Sequence, residues 1–138
     1  DEMGRRAHMY RKIGEEFIAD DFAHEQSVVF ETGKGLVIFN SCSHGGIVNI
    51  VREVQMALGG QKVYAVVGGF HMMKLSGIGV DTLAIPEEEV VETAQELKGL
   101  GVEEIYTGHC TGNIAFRILK KELGEMVHAL GTGETVVF

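Results

Sequence analysis

The sequence has no tryptophan, one proline and only two cysteines in 138 residues. Cys42 and Cys110 stand far apart, and two cysteines do not make a disulfide scaffold. No apolar run approaches the roughly 18 residues that a membrane helix needs. The N-terminus, Asp1-Glu2-Met3-Gly4-Arg5-Arg6, lacks the apolar stretch of a secretory signal. These absences point to a cytoplasmic protein with no membrane partner. Positive charge is scarce as well: 12 Lys and Arg against 20 Asp and Glu give a net charge of −8. That argues against nucleic acid, which needs a basic face. The small basic clusters, Arg5-Arg6 with Arg11-Lys12 and Lys120-Lys121, read as solvated surface.

Glycine is abundant at 19 residues, in a composition that is 45% hydrophobic and 23% charged. This is ordinary for one soluble globular domain, and the glycine suits sharp strand-to-helix turns in a layered α/β fold. Residues 1–19 are charged and carry no clear period, so they read as a linker or as a remnant of a longer chain. Tyr10, Ile13 and Phe17 fit one helical face, which Gly14 interrupts. The body of the domain is expected over 20–138.

Strands are predicted over 27–32 and 35–40, joined as a hairpin through Gly33-Lys34-Gly35. A helix follows over 45–58, with Ile47, Val48, Ile50, Val51, Val54 and Leu58 at helical spacing, and Gly59-Gly60 ends it. Residues 62–67 are almost continuously apolar, as in a strand buried on both faces. Residues 72–85, with Gly77 and Gly79, read as a mixed loop. Pro86 suits the first turn of a second helix whose Glu87, Glu88 and Glu89 favour the positive end of its dipole. A strand over 102–107, a helix over 112–123 and a last strand over 134–138 complete the order β-β-α-β-α-β-α-β.

Three histidines occupy equivalent places. His44 follows the strand ending at Phe39-Asn40, His71 the strand ending in Val67-Gly68-Gly69, and His109 the strand ending in Tyr106-Thr107-Gly108. In open α/β sheets, ligands bind beyond the carboxyl ends of the strands. If these strands are neighbours, the three imidazoles converge, and imidazole is a good ligand for zinc, iron, nickel and copper. A lone buried histidine is more often a hydrogen-bonded structural residue. The case rests on three at equivalent positions. His8, His24 and His128 lie in polar contexts and read as surface.

Cys42 lies two positions before His44 and points to the same side if the chain is extended there. Cys110, adjacent to His109, is expected to point elsewhere. Both are candidates for the shell behind the metal, against the plainer reading of small buried residues. Asp21, in the acidic stretch Asp20-Asp21 to His24-Glu25, is a further candidate for that shell, although a solvated loop is the simpler reading. The start of the third helix, at Thr111 and Gly112, is a candidate anion site. Ordinary helix capping is the competing account.

The segment Asn40-Ser41-Cys42-Ser43-His44-Gly45-Gly46-Ile47-Val48-Asn49-Ile50 resembles the "CSH-x-G-x-x-N-I" segment of the metallo-β-lactamase superfamily, in the dihydropterin or ribofuranosylaminobenzene-phosphate synthase-like branch. Gly68-Gly69-Phe70-His71 and Thr107-Gly108-His109-Cys110-Thr111-Gly112 look like two further motifs of that branch, and Asp20-Asp21-Phe22 to Glu25-Gln26 resembles its lead-in. The resemblance implies the C-terminal half of an αββα sandwich, a mixed sheet flanked by helices, with a dinuclear metal site on one edge. His44 would match the third ligand motif and His109 the last. His71 falls where most members carry a bridging Asp. The His-x-His-x-Asp-His motif of the superfamily is missing here.

The resemblance thus implies a metal-dependent hydrolase-like protein acting on an anionic or phosphorylated small molecule, incomplete as this chain. The expected cofactor is a divalent metal, zinc first, with iron or manganese as alternatives. Self-association or a missing N-terminal half would complete the site. The competing reading is a non-catalytic oligomerising or binding module derived from the same fold. A Rossmann-like cofactor binder ranks low, because no Gly-x-Gly-x-x-Gly follows the first strand.

Overall fold

The computed structural model describes residues 9–75, 79 and 81–138. The Arg5-Arg6 pair, His8 and Gly77 lie outside the described residues. The domain is built on one five-stranded mixed sheet, in the order β3-β4-β5-β8-β9. β3 (Ser27–Thr32) and β4 (Gly35–Asn40) form the expected hairpin, with Val28 opposite Phe39 and Phe30 opposite Val37. β4, β5 (Val63–Gly68), β8 (Glu104–Thr107) and β9 (Val127–Ala129) then run parallel.

Each parallel step is a strand-helix-strand crossover. α1 (Ile47–Ala57) joins β4 to β5, α2 (Glu87–Gly99) lies between β5 and β8, and α3 (Asn113–Leu123) joins β8 to β9. The strand order advances in one direction throughout. Crossovers of one hand therefore put all three helices on the same face of the sheet. Ile47 and Val51 of α1, Val90, Ala94 and Leu97 of α2, and Ala115, Leu119 and Leu123 of α3 share one core with Leu36, Ile38, Val66, Ile105 and Val127 of the strands.

The opposite face is different. Val37, Ala65 and Val67 form a small buried cluster there, packed with Phe39, Tyr64, Tyr106 and Phe138. Phe138 meets Phe39 and Tyr106 edge-on, with ring centroids 6.0 and 5.5 Å apart. On the same face of β3, Val28 and Phe30 are each 56% exposed. One side of the sheet is thus sealed by helices, and the other carries a small buried cluster beside Val28 and Phe30, which remain partly uncovered.

Five expectations change. Residues 10–19 form no helical face. β1 (Tyr10–Ile13) and β2 (Glu16–Ala19) pair as an antiparallel hairpin, turning at Gly14, which has φ of 61°. Inside 72–85, β6 (Met73–Leu75) and β7 (Asp81–Leu83) also pair as a short hairpin. The last strand is not at 134–138, which is irregular. It is β9, which buries Val127 beside Ile105 of β8. Pro86 is the residue before α2 rather than part of its first turn. His128, on β9, is not free surface either. Its Nε2 lies 2.6 Å from a Glu104 carboxylate oxygen, and its ring stacks on Tyr106 at 4.7 Å.

Leu119 is fully buried between α3 and the sheet. Leu119→Ala should leave a cavity and lower the unfolding free energy by about 2–5 kcal/mol, read as a reduced urea midpoint at unchanged slope.

Candidate metal centre

Because β4, β5 and β8 are parallel, their carboxyl ends share one edge of the sheet. The segments that leave them carry Cys42 and His44, His71, and His109 with Cys110. The strand ends approach very closely. A Cβ on Gly68, whose φ is 152°, would sit 2.1 Å from the Asn40 carbonyl oxygen, and one on Gly69 would sit 2.5 Å from Cys110 Sγ. Only glycine permits this packing.

Behind the loops runs a buried hydroxyl chain. Thr107 Oγ1 donates to the Gly68 carbonyl at 2.7 Å, the Thr107 and Thr111 hydroxyls are 2.6 Å apart, and the Phe70 N–H donates to Thr111 Oγ1 at 2.9 Å. Both threonines are fully buried. The network ties the turn before His71 to the turn that carries His109.

Among the described residues, the non-glycine residues with positive φ are Phe22 (52°), Ser43 (51°), His71 (51°) and His109 (48°). Each belongs to this edge: Phe22 stacks on His44 at 4.8 Å, and Ser43 immediately precedes it. Such backbone costs on the order of 1–3 kcal/mol per residue and collects where geometry serves function.

His44 and His71 face each other, with ring centroids 4.5 Å apart. A Glu25 carboxylate oxygen lies 3.3 Å from His44 Nδ1. The same carboxylate accepts the His44 N–H at 2.7 Å and the Gly45 N–H at 2.8 Å. This contact favours the proton on Nδ1 and leaves Nε2 of His44 as the free donor atom. His71 Nδ1 is buried and has no hydrogen-bond partner. Burial first, then the neighbouring His44, hold the His71 imidazole below its ordinary value of 6.5, against the pull of Glu25. A buried, unpaired ring nitrogen that stays unprotonated is what a metal ligand requires.

The second group adjoins the first. Donor atoms of Cys42, His109 and Cys110 all lie within 4.8 Å of one another. Cys110 Sγ accepts the His71 N–H at 3.3 Å, so the thiol faces the site, contrary to the expectation that it points elsewhere. Burial pushes the Cys110 thiol up to about 11, a shift that the His71 N–H opposes. The three predicted histidines thus appear as the pair His44 and His71, with His109 grouped beside the two thiols.

Two other expectations are corrected. Asp21 is exposed and engaged with Arg11 at 2.7 Å and the Ala23 N–H at 3.2 Å; the carboxylate at His44 comes from Glu25. The helix start at Thr111 and Gly112 offers no open anion site. The Thr111 hydroxyl belongs to the buried chain, the Gly112 N–H donates to the His109 carbonyl, and the Asn113 N–H is taken by the Asp81 carboxylate. Glu25 was legible in the sequence only as part of an acidic loop. Its role depends on a fold that returns the chain to it 19 residues later.

No protein-family model matches the chain. In structure, it superposes on a crystal structure described as a metal-dependent hydrolase of the beta-lactamase superfamily with a TM-score of 0.79 and 30% identity, over 94% of this chain and 46% of that one. The fold is that of the metallo-β-lactamase superfamily. In sequence, the chain is 35% identical over 130 residues to the 7,8-dihydropterin-6-methyl-4-(beta-D-ribofuranosyl)-aminobenzene-5'-phosphate synthase of Methanocaldococcus jannaschii. That match covers 94% of this chain and 41% of the relative. The chain thus spans less than half the length of either of these proteins.

Two outcomes are expected. Glu25→Ala should lower stability by about 2–3 kcal/mol in chemical denaturation, because two backbone N–H groups lose a charged acceptor, and Glu25→Gln should cost less. The second concerns pH. In the metal-free protein, between 6.5 and the lowered value of His71, the unfolded chain binds a proton that the folded chain does not. Stability should therefore fall as pH falls through that window, and His71→Gln should flatten the slope of unfolding free energy against pH.

Proposed function

We propose that this chain carries metal ligands of a metal-dependent, hydrolase-like enzyme acting on an anionic or phosphorylated small molecule. His44, His71 and His109 would hold a divalent metal, zinc first, with iron or manganese as alternatives. The observation that carries this reading is the buried, unpartnered Nδ1 of His71 facing the His44 ring, on backbone held in a costly conformation. The donor set of imidazoles with thiols nearby suits zinc or iron. When bound, such a metal supplies Lewis acidity and activates water for attack.

This chain's own residues do the positioning. Glu25 fixes the His44 ring and the turn below it. The Thr107–Thr111 chain fixes the two turns that carry His71 and His109. Phe22, stacked on His44, covers one side of that ring against water. The phosphorylated substrate is extended from the 5'-phosphate in the name of the archaeal relative. The remaining ligands of a complete site would come from a second polypeptide layer, in the same protein or by self-association. On this reading two free thiols belong in a reducing compartment such as the cytoplasm.

A non-catalytic oligomerising or binding module is the second reading. It draws on the exposed Val28 and Phe30 face, and metal-dependent turnover would exclude it.

Elemental analysis by plasma mass spectrometry tests the first reading. The purified chain should hold metal, and His44→Ala, His71→Ala and His109→Ala should each lower its content at least tenfold, in line with the loss of a ligand. Metal content unchanged in all three variants would remove the proposal.

A further inference from the structure

The reading above leaves two thiols at the site without a role. Cys42 and Cys110 leave different strands, 68 positions apart in sequence, and form no disulfide. Yet their sulfurs and a ring nitrogen of His109 lie within 4.8 Å of one another. A tetrahedral zinc, with bonds of about 2.3 Å to sulfur and 2.0 Å to nitrogen, holds its donors about 3.5–3.8 Å apart. Side-chain rotations of about an ångström at most would gather the three.

The surroundings favour sulfur ligation. The His71 N–H pointing at Cys110 Sγ is the kind of hydrogen bond that steadies a metal-bound thiolate. The bond that the neutral thiol donates, to the Cys42 carbonyl, is long at 3.7 Å, so little is lost when the proton leaves. Cys42 and Cys110 are half-buried while His109 is exposed, which leaves the fourth position open toward solvent. The plainer account, a small thiol packed against Gly69, explains Cys110 but gives no reason for a second sulfur and an imidazole beside it.

The geometry points to Cys42, Cys110 and His109 as a two-sulfur, one-nitrogen site for a thiophilic divalent cation of the zinc class. On binding, two S–H bonds break, two metal–sulfur bonds form, and the two protons pass to solvent. Hard cations such as magnesium bind poorly to this set of ligands. The inference rests on the reading above only through His109, which both ligand sets contain.

Cobalt(II) added to the chelator-stripped chain tests it. The folded wild type should develop a thiolate-to-cobalt charge-transfer band in the near ultraviolet. Equimolar zinc should bleach the band, and excess magnesium should leave it unchanged. Cys42→Ser and Cys110→Ser should each remove about half of the band, and the double variant all of it, because each thiolate contributes separately. Circular dichroism keeps loss of fold apart from loss of ligand. Cobalt bound without the band, a band that persists in the double variant, or no cobalt bound by the folded wild type would each overturn the site. A band that survives His44→Ala/His71→Ala would uphold the thiolate site, and a cobalt stoichiometry unchanged in that variant would sink the histidine pair. Cobalt bound without the band but lost with those two histidines would do the reverse.

Discussion

Three parallel strand ends have to meet almost backbone to backbone for this site to exist. Gly68 lies against the Asn40 carbonyl and Gly69 against the Cys110 sulfur; a Cβ at Gly68 would press on the backbone that leaves β4, and one at Gly69 would displace the Cys110 side chain. Gly108 does the same one strand further, where a Cβ would lie 2.6 Å from the Leu130 carbonyl oxygen. The turns that carry His44, His71 and His109 start within a few residues of these contacts. Their positions relative to one another therefore follow from the joint. The backbone of His71 and His109 is held at positive φ, and the surrounding hydrogen bonds offset that cost. Cys110 and the Thr107–Thr111 pair provide them, linking the turns of His71 and His109 across the sheet.

The same topology decides what each face of the sheet does. A strand order that advances one way sends every helix to one side, and that side holds nearly all of the buried aliphatic side chains. The other side is apolar too, and among the described residues its buried cluster packs with Phe39, Tyr64, Tyr106, Leu130 and Phe138. Faces of this type are buried in sandwich folds by a facing layer about 10 Å away. The share of the relatives that the chain covers, 41% and 46%, fits a unit that supplies one layer of such a sandwich. The cluster of histidines and cysteines lies at the edge where the helix-covered layer ends, so groups from a second layer could approach it without disturbing the joint.

The electrostatics of the site are arranged by role. Glu25 is largely buried, yet it is paid in full by two backbone N–H groups and the His44 ring. His71 has a free nitrogen and is kept unprotonated by burial. Cys110 keeps its proton until something replaces it. If these groups bind a cation, its affinity should rise with pH, because binding displaces protons.

Much of this was legible in the sequence, for local reasons. The β3–β4 hairpin, all three helices and the two central strands follow from apolar period and turn residues, which report burial directly. The recurrence of His at three strand ends placed all three on one edge of the sheet, where His44 and His71 face each other and His109 groups with the two thiols. Short elements escaped: β9 has three residues and too little pattern to read, and the two small hairpins lie in polar or glycine-broken stretches. Glu25, the inward turn of Cys110 and the closure of the third helix start by Asp81 escaped for another reason. Each is a contact between residues 19 to 39 positions apart. The sequence by itself determined which segments are strands and helices and which residues have the chemistry to bind a metal. Only the tertiary structure decided which of them face one another, because that depends on strand order and on glycines that let backbones touch.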